Sequence, residues 1–147
     1  MPEEIVCNTS CLIAFSNIDS LEILEKLYKT ILILESVVRE FGEITLKNAK
    51  VVPVKVPLQK LLTEELNLGD GEAQAIALAS SVGKTLILDD QKARKTAQEL
   101  GLKITGTIGL LLKAEKKKLI TSAYEKAVEL KKKGFFISNK ILKELKN

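Results

Sequence analysis

Three short apolar runs constrain this chain most: Ile5–Cys7, Ile31–Leu34 and Thr85–Leu88. The first ends in Asn-Thr-Ser, the pattern of a buried strand feeding a helix cap. The second is partly β-branched, and the third follows Gly83. Each run gives way to a segment with helical spacing. Strands alternating with helices predict a parallel sheet covered by helices on both faces.

The segments between fill in the alternation. Leu12, Ile13, Ile18, Leu21, Leu24 and Leu27 keep helical spacing to about residue 29, with Asp19 as a cap for SLEILEKLY. Ser36–Phe41 predicts a helix with Val37, Val38 and Phe41 inward, stopped or bent at Gly42. Val51–Val56 alternates, but Pro53 and Pro57 make it an edge strand or an extended linker. Leu58–Leu66 reads as helix. Asp70 then caps a helix over Glu72–Val82 that is apolar nearly all round, and such a helix is buried. Further on come a helix over Asp90–Leu100 closed by Gly101, a strand at Lys103–Thr105 and a helix over Thr107–Lys117. Basic terminal helices, Thr121–Lys133 and Ser138–Leu145, flank the segment GFFIS. No internal repeat or low-complexity linker interrupts the pattern.

A length of 147 residues predicts one domain over 1–147, and 46% hydrophobic residues suffice for its core. No apolar run reaches the roughly 18 residues of a membrane span. The start, MPEEIVCN, lacks the basic region of a signal peptide, so the expected compartment is the cytoplasm, with no membrane partner. There is no histidine, which excludes serine–histidine and cysteine–histidine catalysis and histidine-ligated zinc. The two cysteines are too few for a zinc site. Cys7 reads as a buried thiol. Cys11, if it follows on a helical turn, comes near enough to oxidise with it, although cytosolic thiols are normally reduced. From Lys113 to Asn147 there are eleven lysines against four glutamates, so the preceding body is net acidic although the whole chain is +4. A basic tail attracts a polyanion such as RNA. The plainer reading is that KAEKKK and ELKKKG are solvated helix faces.

Acidic residues sit where strands give way to helices: Glu40, Glu72, Asp89 and Asp90. Strand ends on one edge of a parallel sheet can converge on a cleft, and clustered carboxylates repel each other unless a cation joins them. Glu72 opens the most buried helix, where the dipole favours negative charge. Asp89 and Asp90 follow the clearest strand. One of them caps the next helix, and one suffices for that. Arg94 pairs with Asp90 across one helical turn, or else touches a phosphate. Asn8, with Thr9 and Ser10, is an N-cap cluster. Alternatively its amide oxygen ligates a metal, with the two hydroxyls behind it. GTIGLL lacks the lysine and spacing of a phosphate loop, and its glycines read as allowing close helix–sheet packing.

These pieces together resemble the PIN-domain family, which includes the VapC-type toxin ribonucleases, over about Ile5 to Leu142. The resemblance rests on Asn8-Thr9-Ser10, Glu40 in SVVREF, Glu72 in GEAQAIALA, and LILDDQKAR. With GTIGLLLKA and GFFIS these phrases look most like a standalone prokaryotic subgroup without assigned substrates. The resemblance implies a three-layer α/β/α fold with a mainly parallel sheet of four to five strands. It implies Mg²⁺ or Mn²⁺ held by Glu40, Glu72, Asp89 or Asp90, and Asn8, with RNA hydrolysis by a metal-activated water. It also implies single-stranded or structured RNA as substrate, an antitoxin protein as partner, and a homodimer. The departure is Asn8, where the family carries an aspartate: the amide keeps the oxygen and loses the charge. A catalytically impaired module that binds RNA or protein is therefore the competing reading. A receiver-like or HAD-like phosphoacceptor would need a nucleophilic aspartate after the first strand, and Asn8 is not one.

Overall fold

In the computed structural model, which describes residues 4–42, 45–53, 63–64 and 68–146, the three apolar runs are strands. They are β1 (Glu4–Cys7), β2 (Thr30–Leu34) and β4 (Thr85–Ile87), joined by β3 (Ala49–Val52) and β5 (Ile104–Thr105). All pairings are parallel, in the order β3-β2-β1-β4-β5. Val6 of β1 stands opposite Leu32 on one side and Leu86 on the other. Ile5, Val6 and Cys7 are completely buried, as parallel strands covered on both faces should be. The edge strand β3 pairs with β2 alone, exposes Lys50 and Val51, and runs into Pro53. The expected continuation over Val54–Val56, and most of the helix expected over Leu58–Leu66, lie outside the described residues.

The single helix expected after β1 is two, α1 (Thr9–Asn17) and α2 (Glu22–Leu27). Asp19 takes φ +51° between them, a left-handed conformation that aspartate tolerates better than most residues. It therefore ends α1 rather than capping α2, whose cap position is Leu21. The apolar spacing runs through the break because Ile18, Ile23, Leu24 and Leu27 all reach the core. The next helix, α3 (Glu35–Phe41), stops at Gly42, which takes φ +97°. A longer helix, α4 (Asp70–Val82), starts with Gly69 in the cap position, so Asp70 is its first residue rather than its cap. Ala73, Ala75, Ile76, Ala77 and Ala79 are buried. Their small size lets α4 lie against β1 and β4. The remaining described helices are α5 (Gln91–Glu99), α6 (Thr107–Lys116), α7 (Ala123–Lys132) and α8 (Asn139–Lys146).

The right-handed crossover rule distributes these helices. The path β1 to β2 to β3 moves one way across the sheet and β4 to β5 the other, which places α1–α3 on one face and α4 and α5 on the opposite one. The last helices return to the first face, α6 against α2 and α7 against α6. Lys126 Nζ bonds Ser20 Oγ at 3.1 Å, and Lys113 Nζ bonds the Tyr28 hydroxyl at 3.1 Å. Lys116–Lys118 and Lys131–Lys133 stay exposed, in line with solvated helix faces. Among the described residues no helix is long and apolar enough to cross a membrane. The strand order reverses between β1 and β4, and the crevice beyond their carboxyl ends is where open α/β sheets bind ligands.

Candidate active site at the carboxyl edge of the sheet

β1 ends on Asn8, which the chain bends into extended backbone (φ −95°, ψ 174°) to start α1. Its Oδ1 accepts the Cys11 N–H at 3.1 Å. That bond also fixes which end of the amide is oxygen. The cap reading of Asn8 is thus realised, and the oxygen offered as a metal ligand already has a partner. Beside it, the Thr9 hydroxyl donates to Glu40 Oε2 at 3.4 Å, linking the start of α1 to the last turn of α3. Ser10 and Glu40 are exposed.

Glu72 reaches the same edge by a different route. Since α4 leads directly into β4, its last turn lies at the amino edge of the sheet and its first turn at the carboxyl edge. The Glu72 carboxylate is half-buried and folds back on the cap, where a Cβ on Gly69 would stand 3.1 Å from its Oε1. A hydrogen bond from the Ser36 hydroxyl to Gln74 Oε1 ties this turn to α3.

The two aspartates after β4 cap two different helices. Asp90 Oδ2 accepts the Ala93 N–H at 2.9 Å and caps α5. Asp89 reaches across to α6, accepting the Thr107 N–H at 2.9 Å and the Thr107 hydroxyl at 2.6 Å. A carboxylate at a helix N-terminus meets both unpaired N–H groups and the positive end of the dipole. The expected Asp90–Arg94 pair does not form. Asp90 sits at the cap in extended backbone, outside the helical face that carries Arg94. Arg94 instead turns back, and its Nη1 donates to the Leu88 carbonyl at 2.8 Å.

Two residues of this arrangement are not read as part of a site from the sequence: Thr107 has no role there, and Gly106 is read only as a packing glycine. Thr107 is completely buried and holds Asp89. A Cβ on Gly106 would stand 2.8 Å from Arg94 Nη1 and 2.9 Å from Asp89 Oδ1, so the glycine makes room for both side chains. The packing role expected for the glycines of GTIGLL holds at Gly109, where a Cβ would meet Thr105 Oγ1 at 2.8 Å. The clue in the sequence is a Gly-Thr pair directly after a short strand.

Beneath the site, Cys7 and Cys11 are free thiols, both completely buried. Burial pushes the Cys11 thiol well up, helped by its hydrogen bond with Cys7 and by the charges of Cys7 and Asp89, and opposed by Thr107. It stays a neutral thiol, unsuited to nucleophilic work.

Asp89 borders two clefts. One, of about 840 Å³, brings it together with Arg94, Lys95 and Gly106. The other, of about 460 Å³, adds Ser10, Asp90 and Lys133. Neither Glu40 nor Glu72 borders these two clefts. Among the described residues, no three carboxylate, thiol or imidazole side chains stand close enough together to hold a metal ion. The donor chemistry still fits a hard divalent cation: every candidate is a carboxylate or amide oxygen, and Mg²⁺ needs only one or two carboxylates beside its own waters. Asp90 commits only Oδ2 to its cap.

A family model described as DUF3368: PIN domain matches residues 4–147. Among solved structures, the protein PAE2754 from Pyrobaculum aerophilum is similar at 20% identity and a TM-score of 0.54, covering 75% of this chain and 88% of its own. A PilT N-terminus domain protein, SSO1118 from Sulfolobus solfataricus, is also 20% identical, with a TM-score of 0.47 over 76% of this chain and 92% of its own. The first likeness is one of fold. No curated protein matches the chain.

Proposed function

Because the chain belongs to the DUF3368 family of PIN domains, generally a metal-dependent nuclease fold, we propose that the carboxyl edge of its sheet hydrolyses phosphodiester bonds in RNA. The observation that carries this reading is the cleft in which Asp89 stands with Arg94 and Lys95. It combines an anionic group for a cation with cationic groups for a phosphate, beyond the carboxyl end of β4, one of the two strands between which the order reverses.

In this reading Asp89 and Asp90 would hold Mg²⁺ or Mn²⁺, with Glu40 and Glu72 drawn in as the further carboxylates. Such an ion would supply a more acidic water and a counter-charge for the phosphate. Asp89 is aimed by Thr107 and Asp90 by the α5 terminus. Arg94, steadied on the Leu88 carbonyl, keeps further N–H donors for a phosphate oxygen. Thr9 steadies Glu40, and Ser10 borders the second cleft. An antitoxin protein and a second copy of the chain are the protein partners that accompany a toxin-type ribonuclease.

The uncharged amide of Asn8, whose Oδ1 accepts the Cys11 N–H in the α1 cap, favours a second reading, a module with weakened metal binding that holds RNA or protein without cutting it. The experiment is incubation of the purified chain with single-stranded RNA and Mn²⁺. The nuclease reading expects cleavage that stops with EDTA, with Glu72→Ala and with the double variant Asp89→Asn/Asp90→Asn. Cleavage indifferent to all three would refute it. An inactive parent that gains cleavage on Asn8→Asp would establish the second reading.

A further inference from the structure

The segment GFFIS between α7 and α8 holds an exposed aromatic ring in place beside the candidate site. Gly134 takes φ +98°, which favours glycine, and turns the chain out of α7. The turn is closed by the Phe135 N–H on the Leu130 carbonyl at 3.0 Å and the Gly134 N–H on the Lys131 carbonyl at 3.1 Å. Phe135 packs against the core and Ile137 is 2% exposed. Ser138 Oγ then accepts the Ile141 N–H at 3.2 Å at the start of α8. Phe136 lies between these anchored neighbours and is 87% exposed. A ring presented this openly from a pinned backbone adds little to the fold and offers a flat apolar face to something outside it.

Its neighbourhood indicates what that is. Phe136 borders both clefts that contain Asp89. Arg94 and Lys95 line one, and Lys133 lines the other. An aromatic face flanked by cations, with a carboxylate between, matches an unpaired nucleotide strand: a base stacks on the ring while phosphates meet the cations. Duplex RNA hides its base faces inside the stack and meets proteins through its backbone and minor groove. A protein interface would instead favour an apolar centre depleted of charge.

We propose that Phe136 is a base-stacking platform that, with Arg94, Lys95 and Lys133, seats an unpaired nucleotide next to Asp89. The proposal rests on the nuclease reading in taking the ligand to be a nucleic acid, yet it is tested without cleavage. The chain has no tryptophan, so Phe136→Trp introduces a single fluorophore at the platform. In EDTA this variant is titrated with an unstructured single-stranded RNA oligonucleotide, with the duplex of the same strand, and with inorganic tripolyphosphate. The expected result is saturable quenching by the single strand alone. In fluorescence anisotropy with labelled RNA, Phe136→Ala should bind about tenfold or more weakly than the parent, with an unchanged melting temperature. No quenching by the single strand, equal quenching by duplex or tripolyphosphate, or parental affinity in Phe136→Ala would each overturn the platform. So would sedimentation showing that Phe136→Ala splits a dimer, which would assign the ring to a second copy. Quenching without metal-dependent cleavage by the parent leaves the platform standing and removes the nuclease reading. Metal-dependent cleavage with an unchanged KM in Phe136→Ala does the reverse.

Discussion

At the scale of single residues, the site depends on what each oxygen already accepts. Asn8 Oδ1 accepts the Cys11 N–H and carries no charge. Aspartate caps a helix as well as asparagine does, so Asn8→Asp should keep the fold and add a charge facing a cation. Each tenfold gain in Mn²⁺ affinity should appear as about 1.4 kcal/mol of extra stabilisation at saturating metal, read by thermal unfolding with and without Mn²⁺. An unchanged response to Mn²⁺ counts against a ligand role at this position. Thr107 sends its hydroxyl to Asp89 at 2.6 Å from a buried position. Thr107→Val removes that donor at nearly constant shape and should cost about 2 kcal/mol in urea unfolding, as for a hydrogen bond to a charged group. Gly106→Ala should displace Asp89 and Arg94 together and lower kcat/KM on RNA by up to about 100-fold while the chain still folds. Parental kinetics in that variant would show that the pair tolerates displacement. Asp89 and Asp90 stood out in the sequence because they follow a strand-like run, whereas Glu40 and Glu72 lie in the last turn of α3 and the first turn of α4. The supports of these residues were not legible: Asp89 and Thr107 are 18 residues apart and meet only because β4 pairs with β5. The same limit explains Arg94. A spacing of four predicts a pair with Asp90, but Asp90 is a cap and not part of the helical face.

At the scale of elements, strands and buried helices were readable from their apolar runs, and breaks were not. The spacing from Leu12 to Leu27 is continuous although the chain turns at Asp19, because the turn returns the same face to the core. α4 was legible as buried since it is apolar nearly all round, and only its first turn differs, starting at Asp70. The contact between β1 and α1 carries a pH dependence of its own. Burial holds the Cys11 thiol protonated in the folded chain, while in the unfolded chain it ionises above roughly pH 8.5. Above that pH the unfolded state binds fewer protons, so stability should fall with rising pH, by at most about 1.4 kcal/mol per unit for this group. Below it the contribution is fully present. Urea unfolding at increasing pH should show a shallower fall for Cys11→Ala than for the parent. Equal slopes would mean that Cys11 does not supply the dependence.

At the scale of the whole molecule, the alternation of short strands and helices predicted the parallel sheet, and the five strands in the order β3-β2-β1-β4-β5 bear that out. What no local pattern supplies is the order itself. It places β1 and β4 side by side and so brings Asn8 and Asp89 to adjacent strand ends, 81 residues apart in sequence. The lysine-rich end folds back as α6–α8 and sets Lys133 and Phe136 around Asp89, which charge counting alone could not separate from a solvated tail. The central claim is that this edge holds a divalent cation through the acidic residues at the strand ends. Anomalous diffraction from a crystal soaked in Mn²⁺ tests it most directly. The account predicts a peak about 2 Å from an oxygen of Asp89 or Asp90, with Glu40 or Glu72 drawn toward it. A peak that touches none of these carboxylates, or none at all at saturating Mn²⁺, would contradict it.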